Sequence, residues 1–387
     1  MINKVLFVHD GPMGVHKEEA YGISYNNTLV QRYAFFGNSV SFLMRSKSLN
    51  PGDLHKYSKI DHLSFNFIPI PNFKSIRSLH KRNKAKAIIQ EAVKAHNVII
   101  VRLPSAAGVI AFKEAKQQDK TVLIEFVACV YDALCNYDWR GKILAKYKFR
   151  QYQNLMQDAT HTVYVTNAFL QSRYPSPRKS IGCSDVELQV IDEEVLTLRL
   201  QKIKEKTEPL KLATIAAIDV AYKAQADVIK AIAALKLKNI YFEYDIIGQG
   251  NPDVLQKLID TLDINDLVKI KGSIPHDQIF EKLKNIDIYI QPSMVEGLPR
   301  AVVEAMSMAC PVIGSNVGGI PELITNQCIY KKGNIEDLIN LLSRVDEEFL
   351  NTNANLNFEK AKDYQKINLE KKRNDFYKQF LNDYNLI

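Results

Sequence analysis

Short apolar segments rich in β-branched residues alternate along this chain with longer segments of helical periodicity. In the first half the pattern predicts strands at 4–9, 40–44, 65–70, 98–102, 122–126 and 162–166. A second series predicts strands at 211–217, 242–247, 268–271, 287–290 and 311–314. Strands that alternate with crossover helices form parallel sheets. The chain is therefore predicted to be an α/β protein with two doubly wound domains.

A charged stretch at 196–209 separates the two series and ends at a proline, so we expect the linker there. Open parallel sheets bind ligands at the carboxyl ends of their strands. Two such domains in tandem predict an active site in the cleft between them. The stretch 358–386, rich in Lys, Glu, Asn and Tyr, is expected to be helical.

Bulk properties narrow the class of protein. A length of 387 residues suits two ordinary domains. The five cysteines are scattered without any CxxC pair, which favours reduced thiols of a cytoplasmic protein over disulfides or a zinc site. Neither a signal peptide nor an apolar run of the roughly 18 residues that span a bilayer is expected. The formal charge of +8 indicates an anionic partner.

The most informative segment is 291–324, QPSMVEGLPRAVVEAMSMACPVIGSNVGGIPELI. It leaves a predicted strand, turns at Gly297 and enters a predicted helix at about Pro299, a residue that suits a first helical turn. Gly297 leaves room for a ligand to approach the backbone. The free N–H groups at the start of the helix, including those of Leu298 and Arg300, form an anion site with the helix dipole.

Two carboxylates flank this predicted anion site. Glu296 lies in the turn, and Glu304 lies two helical turns further on. An anion cradle beside two carboxylates suits a phosphorylated ligand that also carries hydroxyl groups. The alternative is an ordinary strand–turn–helix unit with solvated carboxylates.

Glu296, Glu304 and the following PVIGSNVGGIPELI resemble the signature of retaining glycosyltransferases of family 4 (glycosyl transferases group 1), which have the GT-B fold. The resemblance implies two Rossmann-like domains that face a central cleft. It places an acceptor-side domain at 1–197 and a nucleotide-sugar-binding domain at 198–364. It also implies that a helix at 365–387 packs back on the first domain.

The resemblance implies a clamp for the donor diphosphate in the second half. Lys223 matches the lysine of that clamp, and the arginine that usually precedes it falls at Ile218. Arg300 is the nearest candidate to supply the missing charge, since arginine binds phosphate as a bidentate fork. The structural alternatives are a solvated surface lysine at 223 and a rim arginine paired with a carboxylate at 300.

Other donor contacts follow from the same resemblance. Gly248, in IIGQGN, corresponds to a strand-end glycine beside the nucleotide, and Ile274 is expected next to the base. Glu304 is expected to accept hydrogen bonds from the ribose hydroxyls, and Glu296 to contact the transferred sugar during front-face attack. Gly297 and Leu298 complete the expected substrate-binding set. Glu296, Lys223 and Arg300 are the expected catalytic residues.

The first domain departs more from the family. Its glycine-rich turn after the first strand is expected in HDGPMGVH, where Gly14 is preferred over Gly11 as the contact to the diphosphate. The histidine that many relatives carry after the fifth strand is missing. Glu125 or Phe126 stands in that place, and Glu125 is either a polar contact to the substrate or a structural acid paired with Arg102.

Two segments are basic without acidic interruption, 74–86 with six Lys or Arg and 139–156 with five, the second interleaved with aromatic residues. Such segments are typical of helices that lie on an anionic membrane. Solvated helices with ordinary core aromatics are the alternative. Nucleic acid is not expected as a partner, because no recognised binding module accompanies the segments.

The prediction is a retaining glycosyltransferase of the hexosyltransferase type, cytoplasmic or peripheral on the inner membrane face. It would move a sugar from a nucleotide-diphosphate sugar to a hydroxyl of a surface polysaccharide or glycolipid. No cofactor and no metal are expected, since Asp-x-Asp and His/Cys ligand clusters are missing from the sequence. The alternatives are a catalytically silent partner subunit, supported by Ile218 and the missing histidine, and an epimerase or hydrolase on the same scaffold.

Overall fold

The computed structural model describes residues 3–74, 76–136, 139–205 and 208–386. One residue of the basic segment 74–86, two of the predicted linker and the final residue of the predicted helix 365–387 lie outside the described residues. The described chain forms two predominantly parallel sheets, each covered by helices on both faces. The predicted α/β class with two Rossmann-like domains is confirmed.

The first sheet is built from nine of the described strands, β1 (Lys4–His16), β2 (Glu19–Gly22), β3 (Ser39–Ser48), β4 (Ser58–Lys59), β5 (Phe65–Ile70), β6 (Val98–Leu103), β7 (Thr121–Phe126), β8 (His161–Tyr164) and β9 (Lys179–Gly182). β1 pairs in parallel with β3 on one side and β6 on the other, and the parallel ladder continues through β7, β8 and β9. The exceptions are β2, which pairs antiparallel with the far half of β1, and β4, which pairs antiparallel with β2.

The helices of the first half are α1 (Asn27–Tyr33), α2 (Arg82–Ala95), α3 (Ala106–Gln117), α4 (Val130–Cys135), α5 (Trp139–Gln157) and α6 (Phe169–Arg173). Alternate side chains of the strands point to opposite faces. One face, with Leu6 and Val101, packs against α2, α3 and α5. The opposite face, with Phe7 and Ile100, packs against α1 and a helix from the other end of the chain.

The predicted glycine-rich turn after the first strand is wrong. β1 does not stop near residue 9 but continues to His16, with a shift in its pairing with β3 between Val8 and Pro12. Gly14 therefore lies inside a strand, where a Cβ would come within 2.4 Å of the Leu49 side chain. Glycine at position 14 is explained by packing, because the Leu49 side chain lies directly over it.

The described strands of the second sheet are β10 (Leu210–Ile215), β11 (Phe242–Ile247), β12 (Val268–Gly272), β13 (Ile288–Gln291), β14 (Val312–Ser315) and β15 (Ile329–Tyr330). Their order in the sheet is β12-β11-β10-β13-β14-β15, and all of these strands pair in parallel. The helices of this half are α7 (Glu194–Lys204), α8 (Gln225–Lys236), α9 (Asp253–Thr261), α10 (His276–Asn285), α11 (Arg300–Ser307), α12 (Ile335–Leu342) and α13 (Glu347–Ala361).

Two chain segments cross between the halves and are hydrogen bonded to each other. The N–H of Leu188 donates to the Tyr364 carbonyl at 2.9 Å, and the Lys366 N–H donates to the Leu188 carbonyl at 2.8 Å. Beyond the crossing, α14 (Lys366–Asp383) inserts Phe376 and Phe380 into the first half. The boundary expected between 197 and 198 falls inside α7, whose Arg199 donates to backbone carbonyls of the second half.

Among the described residues, no helix is long and apolar enough to cross a membrane.

Candidate active site

The turn between β13 and α11 is held by the neighbouring chain segments. The Ser315 hydroxyl donates to the Ser293 carbonyl at 2.5 Å, and the Gly319 N–H donates to the Gly297 carbonyl at 2.6 Å. Gly318 has φ +56°, and a Cβ there would lie 2.3 Å from the Glu296 carbonyl oxygen. Because only glycine fits this close approach, the GG pair fixes the backbone that carries Glu296.

Lys223 and Glu296, 73 positions apart in the sequence, meet at the carboxyl edge of the second sheet. The Lys223 Nζ lies 2.6 Å from Glu296 Oε1, and the two side chains are 21% and 10% exposed. Gln291, the terminal residue of β13, donates from Nε2 to the same oxygen at 2.9 Å. Lys223 and Glu296 thus form a nearly buried ion pair, and Gln291 is a second hydrogen-bond donor to Glu296. Lys223 could bind another anion in place of the Glu296 carboxylate.

The second carboxylate is buried on α11. The Glu304 carboxylate accepts a hydrogen bond from Nε2 of His276 at 3.0 Å. The Glu304 side chain is 5% exposed, whereas that of His276 is 63% exposed. His276 begins α10 and covers the carboxylate from the solvent side. A ligand hydroxyl that reaches Glu304 would replace or join this exposed histidine.

Gly297 faces the other half of the protein. A Cβ at this position would lie 3.1 Å from the carbonyl oxygen of Val127, just beyond β7. A side chain would therefore press against the first half. Because Gly297 has no side chain, the turn that carries Glu296 and Gly297 comes close to the carboxyl edge of the first sheet. The turn therefore lies at the cleft between the two halves.

A second contact between the halves is made by Glu322. Its carboxylate accepts from three successive backbone N–H groups at the start of α6, those of Asn167 at 2.5 Å, Ala168 at 3.0 Å and Phe169 at 2.6 Å. These N–H groups have no partner within the helix, so Glu322 caps α6 across the cleft.

The other predicted donor residues lie around this edge. Gly248 follows β11, and a Cβ there would collide with the Ala216 carbonyl at 1.8 Å, while Ile274 and Leu298 pack at the margin of the second core. Ile218 is buried, which accounts for a hydrophobic residue in place of the expected arginine. Arg300 is exposed at the first position of α11, and no described residue pairs with it.

Glu125 lies in a buried network on the face covered by α1 and α14. It accepts from Arg102 at 3.1 Å and from the Tyr33 hydroxyl at 2.8 Å. Arg102 also pairs with Asp185. Burial opposes ionisation of Asp185, but Arg102 and Arg32 outweigh it and lower the pKa of that carboxyl to about 2. The pairing with Arg102 is the structural alternative described for Glu125, and a contact with substrate stays a prediction.

Nearby, His9 is held in its neutral form. Its Nδ1 accepts from the Gly11 N–H at 2.9 Å and lies 2.6 Å from the Tyr25 hydroxyl. Burial, followed by the positive charge of Arg102, lowers the pKa of His9 to about 4.

Three residues of the site were missed as functional candidates. Gln291 and Glu322 lie in the segment 291–324, and His276 lies two residues after Ile274, but the sequence analysis predicts no role for any of them. The signal for Gln291 was its place at the end of a strand in QPS, and that for Glu322 was its place in GGIPE. Among the described residues, no group of three His, Cys, Asp or Glu side chains is arranged to hold a metal ion.

Comparisons with known proteins agree with this geometry. Residues 199–361 match the family described as glycosyl transferases group 1. The chain is 26% identical to protein CapJ of Staphylococcus aureus over 99% of this chain and 98% of CapJ. It is 31% identical to the amylovoran biosynthesis glycosyltransferase AmsK of Erwinia amylovora over 43% of this chain and 44% of AmsK.

The solved structure of Anabaena HepE in complex with UDP matches with a TM-score of 0.67 at 14% identity, over 97% of this chain and 100% of HepE. This likeness supports the fold alone. Taken with the matches above, the chain is a glycosyltransferase with the GT-B fold.

Proposed function

We propose that this protein is a retaining glycosyltransferase of family 4. It would transfer a sugar from a nucleotide-diphosphate sugar to a hydroxyl of a surface polysaccharide or glycolipid. We take 1–197 as the acceptor-side domain and 198–364 as the donor domain, with 365–387 returning to the first. The observation that carries the proposal is the Lys223–Glu296 ion pair on a turn whose Gly297 faces the other half.

The donor diphosphate is proposed to bind beside Lys223 and the start of α11. Departure of the diphosphate in the transfer step leaves negative charge on its oxygens, and cations and helix N–H groups aimed there stabilise it. Lys223 and the exposed Arg300 supply the charge, and the N–H groups at the start of α11, including that of Arg300, add to it. Because Arg300 has no partner among the described residues, it is available for this role.

The two carboxylates are proposed to hold the hydroxyl-bearing parts of the donor. Glu304 offers two acceptor oxygens to the vicinal hydroxyls of the ribose once His276 moves aside. Glu296, released from Lys223 by the diphosphate, contacts the transferred sugar on the face that the acceptor attacks. Gly248, Ile274, Gly297 and Leu298 line the remaining donor site. Neither a metal nor another cofactor is required in this proposal.

The acceptor class is supported by relatives, since AmsK is named for amylovoran biosynthesis. The proposed site of action is the cytoplasmic face of the membrane. Its support is α5, which exposes Trp139, Ile143 and Tyr147 by 67%, 68% and 64%. These residues follow each other at helical spacing among basic side chains, as in helices that lie on anionic bilayers. We propose that this α5 face, with 74–86, contacts the membrane.

The donor site is tested by a thermal-shift screen of the purified chain against UDP, GDP, ADP and CMP and their common sugars. A ligand present at a hundredfold excess over its Kd stabilises the folded state by about 2.7 kcal/mol. One nucleoside diphosphate standing out supports the proposal. If none shifts the melting temperature, the proposed donor site is wrong.

The membrane contact has a built-in reporter, because Trp139 is the single tryptophan of the chain. Vesicles with anionic phospholipid should shift its fluorescence to shorter wavelength, and zwitterionic vesicles should not. Equal spectra with both kinds of vesicle would contradict the contact.

A further inference from the structure

A cavity of about 560 Å³ lies in the first domain at the carboxyl end of β6. Its walls come from the start of α2, the start of α3, α4 and the middle of α5. Val130, the first residue of α4, lines it, and Val127 three residues earlier faces Gly297. One short loop therefore separates the cavity from the proposed donor turn.

Three cations line this cavity, Lys74, Arg82 and Lys148, against one carboxylate, Asp10. Asp10 is already well satisfied. It accepts from the Ala106 and Ala107 N–H groups at 2.6 and 2.8 Å, and Lys74 lies 3.2 Å from it.

Arg82 and Lys148 have no such ion-pair partner among the described residues. Within the described parts of the chain, no carboxylate comes within ion-pair distance of either residue, and the ammonium of Lys148 donates to the neutral Gln151 at 2.9 Å. Burial, followed by the positive charge of Arg82, lowers the pKa of Lys148. Two neighbouring cations, one half-buried and one exposed, with no carboxylate paired to either, suit an anion of at least two charges.

Much of the remaining wall is apolar, including Val109, Ile110 and Leu134. A second cavity of about 510 Å³ lies between α3 and α5, shares Val109 and Gln151 with the first, and is lined by both apolar and charged side chains. The second cavity reaches Tyr147, part of the exposed α5 face. A ligand that fills both cavities has an anionic group near the cleft and an apolar chain directed to the α5 face.

We propose that these two cavities form an acceptor groove for a lipid diphosphate. The diphosphate lies between Arg82 and Lys148, and the first part of the lipid chain lies along α3 and α5. A sugar attached to the diphosphate would then extend past Val127 toward Gly297. The inference rests on the proposed function, because it names the glycolipid acceptor of that same reaction.

The test is calorimetric titration of the full chain with farnesyl diphosphate, farnesol and inorganic diphosphate. Farnesyl diphosphate should bind at least tenfold more tightly than the other two, because only it fills both parts of the groove. Arg82→Gln and Lys148→Gln should each weaken it about tenfold, as expected for loss of one charged contact worth about 1.4 kcal/mol. Lys94→Gln, on the exposed far end of α2, should not weaken it.

The groove is refuted if farnesol binds as tightly as farnesyl diphosphate, or if both groove variants behave like Lys94→Gln. It is also refuted if Arg82→Gln and Lys148→Gln reduce sedimentation with anionic phospholipid vesicles while farnesyl diphosphate does not bind, since the cations then serve the bilayer surface.

Thermal shifts with nucleoside diphosphates separate this inference from the proposed function. Both groove variants should keep the nucleotide shift of the unmodified chain, which also shows that they are folded. Charge-dependent binding of farnesyl diphosphate without any nucleotide shift would leave the groove standing and refute the donor site.

Discussion

The ion pair between Lys223 and Glu296 leads to an unusual prediction, in which removing a carboxylate that is proposed to be catalytic tightens nucleotide binding. Glu296 is paired with the ammonium group that the donor diphosphate is proposed to use. The diphosphate must therefore displace Glu296 before it can bind. Glu296→Gln keeps the shape of the side chain and its acceptor for Gln291 but removes the competing charge.

The magnitude follows from the geometry. A hydrogen bond between charged groups contributes about 1.5–3 kcal/mol. Since 21% of the Lys223 side chain is exposed, the lower end applies, about 1.5 kcal/mol. The variant should then bind the nucleoside diphosphate roughly tenfold more tightly. It should be less stable without ligand by a similar amount, because Lys223 is left without its carboxylate partner, and sugar transfer should fall sharply.

The assay is titration calorimetry with the nucleoside diphosphate that the screen identifies and with the matching monophosphate, together with a transfer assay. The gain should be larger for the diphosphate. Asp245→Asn is a matched control, because it removes the half-buried partner of Lys282 in the same domain, outside the site. If Glu296→Gln binds the diphosphate no better than Asp245→Asn does, Lys223 does not serve the diphosphate.

Three further outcomes are expected. Glu322→Ala removes the cap across the cleft and should favour separation of the halves by about 1–2 kcal/mol, seen as a larger radius of gyration by X-ray scattering, and an unchanged radius would contradict this. Gly318→Ala and Gly272→Ala both place a side chain at positive φ at a cost of about 1 kcal/mol, but only the first collides with the Glu296 carbonyl. Only Gly318→Ala should therefore abolish the nucleotide shift, and equal loss in both variants would refute the reasoning. The pKa of His9 is about 4 in the folded state and near 6.5 when unfolded, so the unfolded state binds more protons between these values. Stability should fall as pH drops through that window, and His9→Gln should flatten the fall in denaturant titrations.

Much of the fold was predictable because buried parallel strands are continuous apolar segments. The strands expected at 65–70 and 242–247 coincide with β5 and β11. The missed strands β2, β4, β9 and β15 are only two to four residues long. β2, EAYG, has little apolar content and is defined by its pairing with the extension of β1. Such pairing is a tertiary event that no local pattern records.

The candidate site divides in the same way. Lys223 and Glu296 could be named in advance because each lies in a motif at the carboxyl end of a predicted strand, where parallel strands bring residues together. Their mutual ion pair could not, since it depends on how loops fold over the sheet edge. Glu322 was also beyond reach, because its partners are backbone groups of α6 in the other half.

The position of α14 also constrains how the protein is made on the ribosome. Phe376 and Phe380 complete a core that begins with Val5 and Phe7, and Tyr377 approaches Glu125 in the same layer. Multidomain chains usually fold from the first domain onward as they are synthesised. Here the first sheet lacks part of one covering layer until residues near 380 have emerged, whereas the second sheet has all of its own strands and helices by residue 361. The domain translated second is thus the one able to finish folding first, and a chain stalled before α14 would present an uncovered apolar sheet face to chaperones.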